Sequence, residues 1–172
     1  MNDDVTVIRT TVTGREDEVR ELLRKYFVEA TSHGREWFDD QEFGLPVEQI
    51  IPDDVDRLAT AAIEEPLFLA LGDDRPVGTV QLKRLTDATA EVKRLYARPE
   101  VRGEGVGRAL VETMVDEAAA DGFDRLVLGV APYHESAQAL YQSVGFEFRP
   151  PYEGTQASPE LHDDWNFMER SL

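Results

Sequence analysis

The sequence contains no cysteine. Disulfides, thiolate metal sites and a cysteine nucleophile are excluded, and with them any route that carries an acyl group on an enzyme thiol. Histidine is scarce: His33, His134 and His162 share no metal-ligand spacing, so no metal site is expected. Lysine occurs only at Lys25, Lys83 and Lys93, and the 172 residues carry a formal net charge of −17. A nucleic-acid partner, which needs a basic footprint, is not expected. No apolar run approaches the roughly 18–20 residues of a membrane-spanning helix. The acidic start Met1-Asn2-Asp3-Asp4 leads into no apolar stretch of signal type. The expectation is a cytoplasmic protein with no membrane partner. Internal repeats and low-complexity tracts are missing too, and the length fits one domain over residues 1–172.

Acid is what the chain has in excess. Pairs recur at Asp39-Asp40, Asp53-Asp54, Glu64-Glu65, Asp73-Asp74 and Asp163-Asp164. They are spread along the chain rather than clustered, which favours a surface adapted to high salt over an electrostatic funnel for cationic substrates.

Residues 5–11 alternate apolar and polar, as a strand would. A helix is expected over 16–30, with Val19, Leu22, Leu23, Tyr26 and Phe27 on one face. Residues 33–51 lack periodicity and contain Gly34, Gly44 and Pro46, reading as a long loop or broken helix. Pro52 suits a helix start, with Val55, Leu58, Ala59 and Ala62 behind it. Strands are expected over 67–71, 76–82 and 89–97, with turns at Gly72-Asp73-Asp74-Arg75 and near Thr86-Asp87. A glycine-rich loop then opens a helix whose stripe is Val106, Leu110, Met114, Val115 and Ala118, ended by Asp121-Gly122. A strand over 125–130, a helix over 135–143 and short strands over 146–148 and 165–170 complete the chain. Strands alternating with helices imply an α/β domain with a mixed sheet.

Arg102-Gly103-Glu104-Gly105-Val106-Gly107 follows a strand and opens a helix. Glycines permit positive φ and close approach of a ligand to the backbone. The first helical turn adds unpaired N–H groups and the positive end of the dipole, a site for phosphate oxygens. Arg102 and Arg108 could add charge-assisted hydrogen bonds. The loop lacks the Lys-Ser/Thr of a P-loop, and Gly103, Gly105 and Gly107 do not follow the Rossmann spacing.

Arg102-x-x-Gly105-x-Gly107 resembles the Q/R-x-x-G-x-G/A signature of the GNAT superfamily of N-acetyltransferases. The resemblance is strongest over a core motif at 90–146. Residues 91–99, Glu91-Val92-Lys93-Arg94-Leu95-Tyr96-Ala97-Arg98-Pro99, look like that superfamily's fourth strand and the turn after it. Ala137-x-x-Leu140-Tyr141-x-x-x-Gly145-Phe146 is similar to a second block, and Asn166-Phe167-Met168-Glu169 to a common last strand. The resemblance implies a single α/β (α+β) domain: a mixed, mostly antiparallel sheet of about seven strands, about four flanking helices and splayed central parallel strands.

It also implies acetyl-CoA as co-substrate, with no metal, and a small-molecule amine as acceptor. Backbone N–H groups from Arg102, Gly103, Glu104, Gly105, Val106, Gly107 and Arg108 would hold the pyrophosphate. Leu95, Tyr96 and Ala97 would offer main-chain groups to the pantetheine arm, with an N–H near Leu95 on the thioester carbonyl. His134 stands where many relatives have asparagine; it and Ala137 are further expected contacts. Glu91 would act as base towards the amine and Tyr141 as proton donor to the leaving thiolate, besides touching coenzyme A. Residues 33–51 and 150–164 would wall the acceptor side, with Trp37, Phe38, Phe43 and Tyr152 as candidate linings. A non-catalytic acyl-CoA-binding module and a protein or peptide N-acetyltransferase are the alternative functions. A homodimer is common among relatives.

Overall fold

The computed structural model describes residues 5–10, 14–40, 66–155, 157 and 159–172. Among them lie seven strands: β1 (Val5–Thr10), β2 (Leu67–Gly72), β3 (Arg75–Arg84), β4 (Thr89–Ala97), β5 (Arg125–Val130), β6 (Glu147–Arg149) and β7 (Asn166–Ser171). Three α-helices accompany them: α1 (Glu16–Trp37), α2 (Val106–Ala120) and α3 (Glu135–Ser143). The strands form one sheet in the order β1-β2-β3-β4-β5-β7-β6. All neighbours are antiparallel except β4 and β5.

Local chemistry explains the corners. Asp73 and Asp74 form the two-residue link between β2 and β3 with φ of 52° and 61°, the doubly left-handed turn that matches the twist of a hairpin. Helix α2 closes with Gly122 at φ 90°. There Gly122 N–H donates to Ala119 O and Phe123 N–H to Ala118 O, the paired bonds of a Schellman end. Phe123 then turns back into the core.

The core has two parts. On one side of the sheet Leu110, Met114 and Leu126 are fully buried with α2 and Tyr141 of α3. On the other, Leu22 and Leu23 of α1 pack on Leu67, Leu69 and Tyr96. Each fully buried leucine contributes about 1.5–3 kcal/mol.

Helix α1 runs to Trp37, past the expected end near Ala30 and through positions read as loop. Its last turns are held by rings rather than by an apolar stripe: His33 and Trp37 lie 6.2 and 6.1 Å from Tyr133. Tertiary contact overrides the weak local signal, including Gly34. The helix expected after Pro52 and the rest of that loop lie outside the described residues.

Strands β4 and β5 pair only from Thr89↔Arg125 to Glu91↔Val127 and then part. On its other edge β4 carries a bulge. Gln81 pairs with Lys93 and Thr79 with Tyr96, so two residues of β4 oppose one of β3. Arg94 takes up the extra residue at φ 57°.

Candidate active site

The splay between β4 and β5 opens a cleft of about 790 Å³. Leu95, Tyr96 and Ala97 form one wall, Arg102, Gly103 and Gly105 to Arg108 its end, and His134 and Ala137 the opposite wall. Of the expected donor contacts, Glu104 and Tyr141 are not in these walls; Glu104 is exposed on the loop.

The end of this cleft suits an anion. Gly103 and Gly105 have φ of 81° and 87°, and Gly105 caps α2 without any side-chain cap. Ala109 N–H, donating to Gly105 O, is the first to find a helical acceptor, so α2 itself offers no acceptor to the amides of its first turn; the Arg102 N–H, expected to face the pyrophosphate, instead donates to Pro99 O at 3.3 Å in the turn before the loop. The first turn of α2 carries no acidic residue, whereas that of α1 carries Glu16, Asp17 and Glu18. Helix α3 carries Glu135 in its first turn, so among the described α-helices only α2 leaves its dipole unanswered. A side chain at position 105 would force φ 87° on a β-carbon. Gly105→Val is therefore expected to weaken acetyl-CoA binding about tenfold or more, read by titration calorimetry, through the 1–2 kcal/mol cost of left-handed backbone.

The two arginines have protein partners. Arg102 grips Glu29 of α1 with Nη1 and Nη2 at 2.9 and 2.7 Å, and its Nε donates to Ala97 O at 2.9 Å. That pairing holds the Glu29 carboxyl below its ordinary range, by hydrogen bonding to Arg102 first of all. Arg108 donates to Ser143 Oγ at 2.8 Å. Both arginines line this end of the cleft together with the loop backbone, and the Arg102–Glu29 clamp ties the loop to α1.

A second cavity of about 390 Å³ adjoins the first, sharing Tyr26, Ala30, Leu95, Tyr133, His134 and Ala137. Glu91 and Tyr141 line it. Glu91 is 3% exposed, and Tyr152 donates its hydroxyl to Glu91 Oε2 at 2.7 Å. Burial, then the charge of Glu91, pushes the Tyr152 phenol well up, so it stays a donor. Burial does the same to Tyr141, 5% exposed. Burial, and secondarily His33, lowers His134, leaving it neutral near pH 7. His134 sits at the N-cap of α3 without a cap bond, between the two cavities.

Among the expected acceptor-side aromatics, Tyr152 lines this cavity. Trp37 does not: it is 55% exposed, with its ring beside Tyr133. Phe38 is not in the wall either, and Phe43 lies outside the described residues. Tyr133, Tyr26, Trp165 and Glu29 were not anticipated from the sequence. Tyr133 joins His33, Trp37, His134 and Trp165 in one ring cluster, and burial pushes its phenol up to about 12.

The acetyltransferase (GNAT) family model matches residues 17–146. The chain belongs to that family. Among curated GNAT-type relatives, an IAA acetyltransferase of Azospirillum brasilense is 42% identical over 62 residues, 36% of this chain and 40% of the relative. A mycothiol acetyltransferase of Kocuria rhizophila is 31% identical over 114 residues, 66% of this chain and 32% of the relative. The matched part of the chain thus spans at most about two fifths of these relatives. The GNAT fold is seen in an acetyltransferase of Streptococcus agalactiae, with TM-score 0.70, 19% identity and 99% of both chains covered. It recurs in the PaiA N-acetyltransferase of Thermoplasma acidophilum, solved with coenzyme A, at TM-score 0.68, 17% identity, and 98% and 99% coverage. Among the described residues no group of three or more His, Asp or Glu side chains could hold a metal ion, and no helix is long and apolar enough to cross a membrane.

Proposed function

We propose that this chain is an N-acetyltransferase that moves the acetyl group of acetyl-CoA directly to a primary amine of a small molecule. The observation that carries the reading is the junction of two cavities at Leu95. One ends in an acid-free helix terminus, and the other holds a buried carboxylate.

The chemistry divides between the two. Phosphate oxygens of the donor rest on amides from Gly103 to Arg108. The thioester lies along the bulged part of β4, where a Leu95 N–H polarises its carbonyl. A primary alkyl amine, with an unperturbed pKa of about 10, arrives mostly protonated. Glu91 takes one proton from the ammonium, the nitrogen forms the new C–N bond, and the C–S bond breaks; the second N–H proton, released as the amide forms, restores the one that Tyr141 gives up. Tyr141 donates to the departing sulfur. Much of the rate comes from holding the two reactants together. The chain has no cysteine through which a cysteine-linked route could pass. We also read the cytoplasm as its compartment and the excess acid as a surface suited to high salt.

Single-turnover transfer from acetyl-CoA to a broad panel of amines tests the reading. Acetylation of at least one small amine is expected. Tight acetyl-CoA binding with no acceptor ever acylated would overturn it in favour of a non-catalytic module, and transfer only to peptides would overturn the small-molecule part.

The Tyr152 hydroxyl favours the ionised form of Glu91 by hydrogen bonding to it. Tyr152→Phe removes that donor, so protonation of Glu91 becomes easier. The acid-side fall of kcat/KM is expected to move to higher pH in this variant. An unmoved acid limb would disconnect it from Glu91.

A further inference from the structure

The second cavity collects aromatic rings. Tyr26, Phe27, Tyr133, Tyr152 and Trp165 line it, with Tyr141 beside them. Four of the chain's five tyrosines therefore meet here. The first five rings come from three separate stretches: α1, the link between β5 and α3, and the segment between β6 and β7. Core packing does not account for them. The core rings Phe68, Phe123, Phe146 and Phe167 are at most 7% exposed, whereas these five are only half-buried. Aromatic surface left open inside a concave wall marks a place for a ligand.

The rings are fixed in place by other rings. Tyr26 meets Phe27 edge to face with centroids 5.0 Å apart, and Tyr133 meets Trp165 at 6.1 Å and 87°. Tyr152 stands at 90° to Phe167, 5.7 Å away. Its hydroxyl is directed to Glu91 Oε2 at 2.7 Å, so this ring frames the carboxylate. Edge-to-face pairs hold ring orientation, and a wall already ordered loses little entropy when a ligand covers it. Rings beside a carboxylate suit an ammonium in two ways. The π faces attract the cation, and Glu91 then takes its proton.

We propose that the second cavity is an aromatic cage for the acceptor, which is an arylalkylamine: a primary amine joined by a short alkyl chain to an aromatic ring. The ring of the acceptor packs among Tyr26, Phe27, Tyr133 and Trp165, and its ammonium lies beside Tyr152 and Glu91. The cavity volume of about 390 Å³ suits a ligand of this size. Bond making and proton transfer at the nitrogen are those of the acetyl transfer above. This inference rests on the acetyltransferase reading, and the test separates the two.

Coenzyme A release is measured with phenethylamine, 2-cyclohexylethylamine and n-butylamine. The native chain is expected to prefer phenethylamine to n-butylamine by about 30-fold or more in kcat/KM, because four further carbons are buried. It is expected to prefer phenethylamine to 2-cyclohexylethylamine by about threefold or more, the share of ring-on-ring contact. Trp165→Leu is expected to cut the preference over n-butylamine by about fivefold. Equal use of phenethylamine and n-butylamine, parity with 2-cyclohexylethylamine, or a preference unchanged in Trp165→Leu each overturns the cage and leaves the acetyltransferase reading standing. If no amine of any kind is acetylated, that reading fails, and the cage is decided by binding alone. Trp37→Phe leaves Trp165 as the sole tryptophan, and Trp37 is not in the cavity wall. In that variant loaded with coenzyme A, phenethylamine is expected to shift the Trp165 emission to saturation, and n-butylamine at the same concentrations to leave it unmoved. A shift with both amines or with neither overturns the cage.

Discussion

Glu91→Gln is expected to slow acetyl transfer in a single turnover by about 100- to 10,000-fold, the range for removal of a general base. The dissociation constant for acetyl-CoA should stay within about twofold, because the lost interaction acts on the amine and not on the donor. The geometry makes this a clean experiment. Glu91 lines the second cavity, whereas the glycine-rich loop closes the far end of the first. A glutamine oxygen can still accept the Tyr152 hydroxyl that now reaches Glu91 Oε2 at 2.7 Å, so the buried hydrogen bond survives the change. Rapid-quench measurement of acetylated product, with acetyl-CoA titrated calorimetrically, reads both quantities. A fully active variant would remove Glu91 as the base.

Gly78→Val is expected to cost about 3 kcal/mol of stability, at the upper end for overpacking a tight site. A β-carbon at Gly78 would stand 2.9 Å from the Tyr96 carbonyl oxygen, 3.0 Å from Leu110 Cδ1 and 3.2 Å from Val106 Cγ1. Backbone on one side and the first turns of α2 on the other leave it nowhere to go. For a domain of this size the melting temperature should fall by about 6–12 °C in scanning calorimetry. The same crowding pushes Val106, the first residue of α2, away from the sheet, so acetyl-CoA binding should weaken as well. An unchanged melting temperature would mean that β3 and α2 separate without cost. Gly78 drew no notice in the sequence, because a lone glycine inside a strand announces neither a turn nor a motif. Only the approach of β4 and α2 to the same point gives it meaning.

Much of the site was legible in the residues. The glycine spacing at Gly103, Gly105 and Gly107 and the block from Ala137 to Phe146 pointed to the donor end, and β4 falls at Thr89–Ala97 as its alternation implied. These features depend on local backbone geometry and short-range periodicity, which a sequence records directly. The partner of Arg102 shows the limit. Positive charge beside a phosphate loop invites a phosphate contact, but Glu29, distant in sequence, takes the Arg102 fork. The end of α1 was missed for the same reason: Tyr133, nearly a hundred residues away, supplies the contact that keeps His33 and Trp37 helical.

The sequence by itself determined the strand-loop-helix that can receive a phosphate-bearing donor, since φ-permissive glycines and an uncapped helix start are local properties. It also determined that no cysteine takes part. The tertiary structure decided what surrounds that loop. Strands β4 and β5 share only three pairs of residues before they part, and the bulge at Arg94 shifts the register of β4 against β3. Neither can be read along the chain, because each depends on how one strand registers against its neighbours. Register follows from the balance of contacts across the whole sheet rather than from any one segment.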